Sequence, residues 1–193
     1  MENKKIALLA SGSGSNAQNI IEYFSDNEHV IVDSLWSNRP DSYALERARN
    51  FQVETFVFNR EEFANGNFVV EKLLERGIDL IVLAGFLWLV PSNLIQNFKI
   101  INIHPALLPN YGGKGMYGMK VHEAVVENKE VESGISIHFV NDKYDEGELI
   151  FQAKCPILPN DSPEDVANKI HELEYKYYPE VIEKVLKMTN LNP

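Results

Sequence analysis

The chain carries one cysteine in 193 residues, so it can close no internal disulfide and offers no multi-cysteine metal site. Cys155 stands in a strand-like run just before Pro156, the setting of a small packing residue. Basic residues are also few: 18 Lys and Arg against 28 Asp and Glu give a formal charge of −10. No Lys/Arg cluster or stripe stands out, which argues against a nucleic-acid partner. An anionic ligand would have to be drawn by local donors against the overall field. Long apolar runs are missing too. The amino terminus passes from Met-Glu-Asn-Lys-Lys into five apolar residues, Ile6 to Ala10, too few for a signal-peptide core. The longest run, Leu80 to Val90, is broken by Gly85 and falls short of a membrane span. The expectation is a cytoplasmic protein with no membrane partner. Oligomeric state is left open.

What is present is an ordinary globular composition, 45% hydrophobic and 24% charged, long enough for one domain over residues 1–193 with a sizeable core. Lys5 to Ala10 is a continuous apolar run of the kind a fully buried parallel strand shows. Ser11-Gly-Ser-Gly-Ser-Asn16 follows, then apolar residues at helical spacing, Ile20, Ile21 and Phe24. Val30–Trp36 reads as a second strand. A helix over Ser42–Phe51 has Asp41 as its expected N-cap, and Val53–Phe58 is a third strand. A helix from Arg60 to about Arg76 contains Asn65-Gly-Asn67, which is placed to interrupt it.

Gly77–Phe86 is apolar throughout and reads as a central strand. Pro91–Phe98 forms a short helix, Lys99–Ile103 a strand, and Met119–Asn128 a helix carrying His122 on its surface or in its packing. Ser133–Asn141 alternates, with Ile135, Ile137 and Phe139 on one face and Ser136 and His138 on the other. Glu148–Ile157 returns as a strand, and a helix capped by Asp161 or Ser162 runs from Pro163 to Met188. Alternating strands and helices with a late hairpin predict an open, mostly parallel Rossmann-like α/β sheet, with helices on both faces and antiparallel strands near the carboxyl end.

Three places carry candidate chemistry. The glycine-rich turn between a strand and a helix start can bind an anion through free N–H groups, or be a turn and nothing more. Gly12, Gly14 and Ala17 also fit a dinucleotide fingerprint. That reading wants an acidic residue ending the second strand, where the chain has Ser37-Asn-Arg-Pro40. Leu87-Trp-Leu-Val90 stays apolar beyond the natural length of its strand, so it either folds onto the core or walls a pocket. Asn102 and His104, two apart in a strand, share one face and leave Ile101 and Ile103 on the other. A carboxamide beside an imidazole can hold a developing oxyanion and move a proton, although such residues are also common where a sheet meets solvent.

The run Asn102-Ile-His-Pro-Ala-Leu-Leu-Pro109, the pair Ser136-Ile-His138-Phe-Val and Asp145-Glu-Gly147, and Ser11-Gly-Ser-Gly-Ser-Asn16 together resemble the phosphoribosylglycinamide formyltransferase family. The resemblance runs over nearly the whole chain. It implies an enzyme of purine biosynthesis that takes small-molecule substrates. A formyl group would pass from formyl-tetrahydrofolate, as co-substrate and without a metal, to the primary amine of glycinamide ribonucleotide.

By the same resemblance Gly14, Ser15 and Asn16, with Arg60, hold the substrate phosphate, and Glu174 contacts the amine substrate. From its residues alone, Glu174 could equally be a solvated helix glutamate. Leu87, Trp88, Leu89 and Val90 would line the pterin pocket, Trp88 standing where many members have arginine. Asn102 and an imidazolium His104 would stabilise the oxyanion, with Asp145 favouring that charge and Ser136 and His138 in support. Lys114, in the glycine-rich loop Gly112–Gly118, has no assignment. Other readings are a formyl-folate enzyme acting on a sugar amine or releasing formate and, from another class, a dinucleotide-dependent oxidoreductase.

Overall fold

The computed structural model describes residues 3–64 and 67–188. In chain order the elements are β1 (Lys4–Leu9), α1 (Ser15–Phe24), β2 (Val30–Ser37), α2 (Tyr43–Asn50), β3 (Glu54–Val57), α3 (Arg60–Ala64) and α4 (Phe68–Glu75). There follow β4 (Leu80–Leu83), α5 (Ser92–Asn97), β5 (Ile100–His104), α6 (Met119–Glu127), β6 (Glu132–Phe139), β7 (Leu149–Pro156) and α7 (Pro163–Lys187). The strands form one sheet in the order β3-β2-β1-β4-β5-β6-β7. Strands β1 to β5 pair in parallel, and β6 and β7 add antiparallel at one edge.

Two-sided burial explains the continuous apolar runs. In β1, Ile6 and Leu8 face a core built with α1, α2 and α7, while Ala7 and Leu9 face a second core built with α3, α4 and α5. Successive strand residues point to opposite faces, so a strand covered on both must be apolar at every position. Leu8 is wholly buried, and truncating such a side chain to alanine costs roughly 2–5 kcal/mol. β4 is likewise buried at all four residues and lies at the middle of the seven strands.

Several boundaries differ from the sequence expectation. The apolar run to Phe86 supplies only the short β4, because Gly85 takes a left-handed φ of 77° and turns the chain. The main chain there bonds instead across the carboxyl ends, from Ala84 N–H to Leu9 and from Ser11 N–H to Gly85. The interval from Arg60 holds two helices, α3 and α4, with Asn67 of the expected interruption at the N-cap of α4. Of the interrupting residues, Asn65 and Gly66 lie outside the described ones. Asp41 does not cap α2: it pairs with Arg39, and Ser42 occupies the N-cap with its hydroxyl donating to Gly12 O at 2.9 Å. That bond draws the start of α2 against the glycine-rich turn. A Cβ on Gly14 would lie 2.5 Å from Ala44, and φ is 74° there, so the turn requires glycine at that position.

α7 starts in a capping box, Ser162 with Asp165, which satisfies two backbone donors. Tyr178, buried in its middle, donates to Leu83 O at 2.9 Å and Ile101 O at 3.3 Å. The helix is thereby fixed against the ends of β4 and β5. Among the described residues no helix is long and apolar enough to cross a membrane.

Candidate active site

A cleft of about 560 Å³ opens beyond the carboxyl ends of β1, β4 and β5, where parallel α/β sheets place their ligands. Three segments line it: the turn after β1 with Ser13 and Asn16, the loop Gly85–Val90, and the floor made by Asn102, His104, His138 and Asp145. The loop Gly113–Gly118, His122 of α6, and His171 and Glu174 of α7 complete the wall.

The floor follows from strand register. Asn102 sits opposite His138, and His104 opposite Ser136, in the antiparallel β5–β6 pair. Ile101, Ile103, Ile135 and Ile137 bury the other face of the same two strands. Ser136 Oγ donates to Ala106 O at 2.7 Å and accepts from Leu108 N–H at 2.9 Å and Gln152 Nε2 at 2.8 Å, fixing the chain that leaves β5. The turn after β6 brings in Asp145, whose φ is 58°. A Cβ on Gly147 would lie 1.7 Å from Phe139 O, so glycine is needed for the turn to close on the strand.

Asp145 is held from several sides. Gly113 N–H donates to its Oδ2 at 2.9 Å and Asn102 Nδ2 approaches Oδ1 at 3.4 Å. His104 Nδ1 lies 3.5 Å from Oδ2, and His138 Nε2 3.6 Å from Oδ1. Burial pushes this carboxyl up, but the contact with His138, the charge of His104 and the Gly113 N–H outweigh it and hold it below its usual range. His138 Nδ1 bonds Phe139 O at 2.8 Å, and its Nε2 meets Asn102 Nδ2 at 3.2 Å.

His104 departs from expectation. Its ring is 3% exposed, and burial lowers its pKa below the ordinary imidazole value, although Asp145 and the Tyr111 carbonyl act in the opposite direction. Burial thus works against the imidazolium expected from the sequence and favours the neutral ring. Nε2 bonds Tyr111 O at 2.7 Å, which leaves Nδ1, the nitrogen facing Asp145, as the site for a proton.

Glu174 is no solvated helix residue. It is 6% exposed, accepts from Asn16 Nδ2 at 3.0 Å, and burial pushes its pKa up to about 7. Asn16 Oδ1 is buried without a partner, so a second acceptor lies beside Glu174 at this end of the cleft. Gly14 and Ser15 form the start of α1 beside them.

The 87–90 loop lines the cleft from the other side. Leu87 and Leu89 are 43% and 42% exposed, and Val90 is buried. Trp88 packs among Phe58, Phe63 and Phe86, and the Arg60 guanidinium lies over its ring at 5.6 Å. Arg60 is thus placed beside the apolar wall and is not among the residues lining the cleft next to Asn16.

Four groups at the site have no functional assignment in the sequence. His122 is buried rather than on the helix surface, with Nδ1 unpartnered, and burial lowers its pKa to about 4. His171 stands three residues before Glu174, a spacing that puts both on one helix face. Gln152 lies opposite Ser136 in the β6–β7 register. Tyr111 acts through its backbone, which no residue pattern encodes. Asp33, inside β2, is engaged by Lys5 and Arg76.

The model of the formyl transferase family matches residues 4–182. The chain is 42% identical over 189 residues to the chloroplastic phosphoribosylglycinamide formyltransferase of Arabidopsis thaliana, covering 93% of this chain and 64% of that protein. It is 40% identical over 186 residues to the Haemophilus influenzae phosphoribosylglycinamide formyltransferase, covering 93% and 85%. The crystal structure of phosphoribosylglycinamide formyltransferase from Streptococcus pneumoniae superimposes with a TM-score of 0.83 at 36% identity, over 95% of this chain and 99% of that one. Glycinamide ribonucleotide transformylase 1 from Geobacillus kaustophilus gives 0.86 at 32%, over 96% and 100%.

Proposed function

The chain belongs to the formyl transferase family, and on that premise we propose that it moves a formyl group from formyl-tetrahydrofolate to the primary amine of glycinamide ribonucleotide. Its place would be the purine pathway in the cytoplasm. The observation that carries this reading is one cleft with an apolar wall on one side, two buried acceptors on the other and a hydrogen-bonded Asn-His-Asp floor between them. Folate is a flat, largely apolar ring system with polar edges. Leu87, Trp88, Leu89 and Val90 would hold that ring, and it would supply the activated formyl carbon. The amine substrate would lie toward Gly14, Ser15, Asn16 and Glu174, where the start of α1 offers backbone N–H groups to a phosphate.

Attack of a neutral amine on the formyl carbon places negative charge on the formyl oxygen and leaves the nitrogen with a proton to lose. Asn102 Nδ2 is the donor available to that oxygen, since its contact to Asp145 is long at 3.4 Å. His104 Nδ1 takes the proton. The imidazolium so formed is satisfied at both nitrogens, Nε2 by Tyr111 O and Nδ1 by the ionised Asp145. From Nδ1 the proton passes on to the departing folate nitrogen. Removing one donor to a developing oxyanion lowers turnover by about a hundredfold to a thousandfold.

The test is an assay with both substrates that follows formylated amine and deformylated folate together. The reading requires one-to-one appearance of the two products. Formate released without the amine would indicate a hydrolase, and transfer to a sugar amine in preference to the ribonucleotide would move the enzyme to another branch of the family.

A further inference from the structure

The loop that leaves β5 returns to the strand's own histidine. Tyr111 O accepts from His104 Nε2 at 2.7 Å, and Tyr111 holds a left-handed φ of 56°, a conformation that a residue with a side chain keeps only when its surroundings impose it. Its hydroxyl reaches away from the cleft and donates to Glu130 Oε1 at 2.7 Å. Glu130 follows α6, and its own N–H is bonded to Val125 O at 3.2 Å. The carbonyl that orients the catalytic imidazole is therefore fixed through a side chain anchored outside the cleft.

Resting on the formyl-transfer reading, we propose that Tyr111 and Glu130 are positioning residues: their hydrogen bond holds the Tyr111 carbonyl against His104 Nε2, so that Nδ1 is the nitrogen presented to Asp145 and the reacting amine.

A neutral imidazole has one N–H, and the acceptor beside one nitrogen decides which tautomer is populated. With the carbonyl at Nε2, the lone pair resides on Nδ1, where the proton must arrive. If Tyr111 relaxes toward ordinary backbone angles the carbonyl moves, and both tautomers become accessible. Neither Tyr111 nor Glu130 lines the main cleft, so their loss acts through His104 and not through substrate contacts. The other titratable groups bearing on His104 are Asp145 and His138 beside its ring and His122 of α6, none of which the substitutions below alter.

The experiment compares Tyr111→Phe, Glu130→Ala, Glu130→Gln and the Tyr111→Phe/Glu130→Ala double variant. In the free proteins, the His104 ring is titrated by NMR. The Tyr111 carbonyl favours the protonated ring, so loosening it moves the His104 titration to lower pH in the first two variants and leaves Glu130→Gln, which keeps an acceptor, near wild type. In turnover, the first two variants lose roughly tenfold in kcat, within the range a small misplacement of a catalytic group produces. Both KM values stay within about twofold, as expected when only a transition-state interaction is lost. The double variant is no worse than either single one.

An unchanged His104 titration in folded Tyr111→Phe and Glu130→Ala overturns the proposal whatever the activity. Additive losses in the double variant also overturn it. The NMR arm needs no substrate, so failure of the pair is distinguishable from failure of the formyl-transfer reading, which would show as a wild-type protein that transfers no formyl group.

Discussion

Two carboxyl groups face the same cleft, and burial pushes both upward, yet they end in opposite states. Asp145, with His104, His138 and the Gly113 N–H around it, is held below its usual range. Glu174, bonded to the Asn16 carboxamide, is raised to about 7. What separates them is the partners, not the depth. On the proposed reading, the floor keeps a negative charge where a proton must be drawn, whereas the end with Glu174 acquires one when a donor-rich amine substrate arrives.

The largest effect expected from this contrast is at Asp145. Asp145→Asn keeps the shape and removes the charge that stabilises the protonated His104, and should lower single-turnover rates about a hundredfold or more. Substrate affinities should hardly move. Because the folded pKa of Asp145 is depressed, its charge contributes stability above the unfolded pKa, and that contribution is lost as pH falls through the folded value. The asparagine variant should lack that acid-side loss in a melting series.

Glu174 has the opposite sign. Its folded pKa of about 7 against 4.5 means that stability falls as pH rises from 4.5 and has fallen fully above 7. At about 1.4 kcal/mol per pKa unit the whole change is on the order of 3 kcal/mol. Glu174→Gln should therefore melt several degrees higher than wild type at pH 8 and equal it near pH 4. The same variant should raise KM for the amine substrate more than it lowers kcat. A melting difference that does not depend on pH would erase the contrast with Asp145.

A smaller effect is expected at Asn16, whose carboxamide lowers the Glu174 pKa. Asn16→Ala should move the Glu174 transition to higher pH and weaken amine binding.

The smallest effect belongs to Arg60. Stacked over Trp88, it should affect binding and leave kcat within about threefold, since a contact remote from the reacting atoms contributes largely uniform binding. If Arg60→Ala raises KM for the phosphorylated amine, Arg60 serves the phosphate. If it raises KM for the folate, the stack with Trp88 belongs to the apolar wall.

Much of this was legible before any coordinates. Two-sided apolar strands, the two-residue spacing of Asn102 and His104 and the alternation of Ser136 and His138 are local patterns, and β-pleat geometry turns them directly into a shared face. The glycine-rich turn was legible for the same reason. The protonation of His104 was not, because it depends on a balance between burial and the approach of Asp145 from a turn 41 residues away in sequence. Nor was the burial of Glu174: it sits among the tyrosines of α7, and only the docking of Tyr178 onto Leu83 and Ile101 turns that face inward. The N-cap of α2 was misassigned for a tertiary reason as well, since Ser42 is drawn to Gly12 O and Asp41 is left to Arg39.

Asn102, His104 and Asp145 are proposed to perform the transfer and not merely to finish a sheet edge. The most direct test is the single-turnover rate of His104→Ala, with both substrates saturating and the fold followed by circular dichroism melting. Catalysis by this trio requires a folded protein that binds both substrates within about threefold of wild type and transfers the formyl group at least about a hundredfold more slowly. A folded His104→Ala protein with near-normal turnover would contradict it.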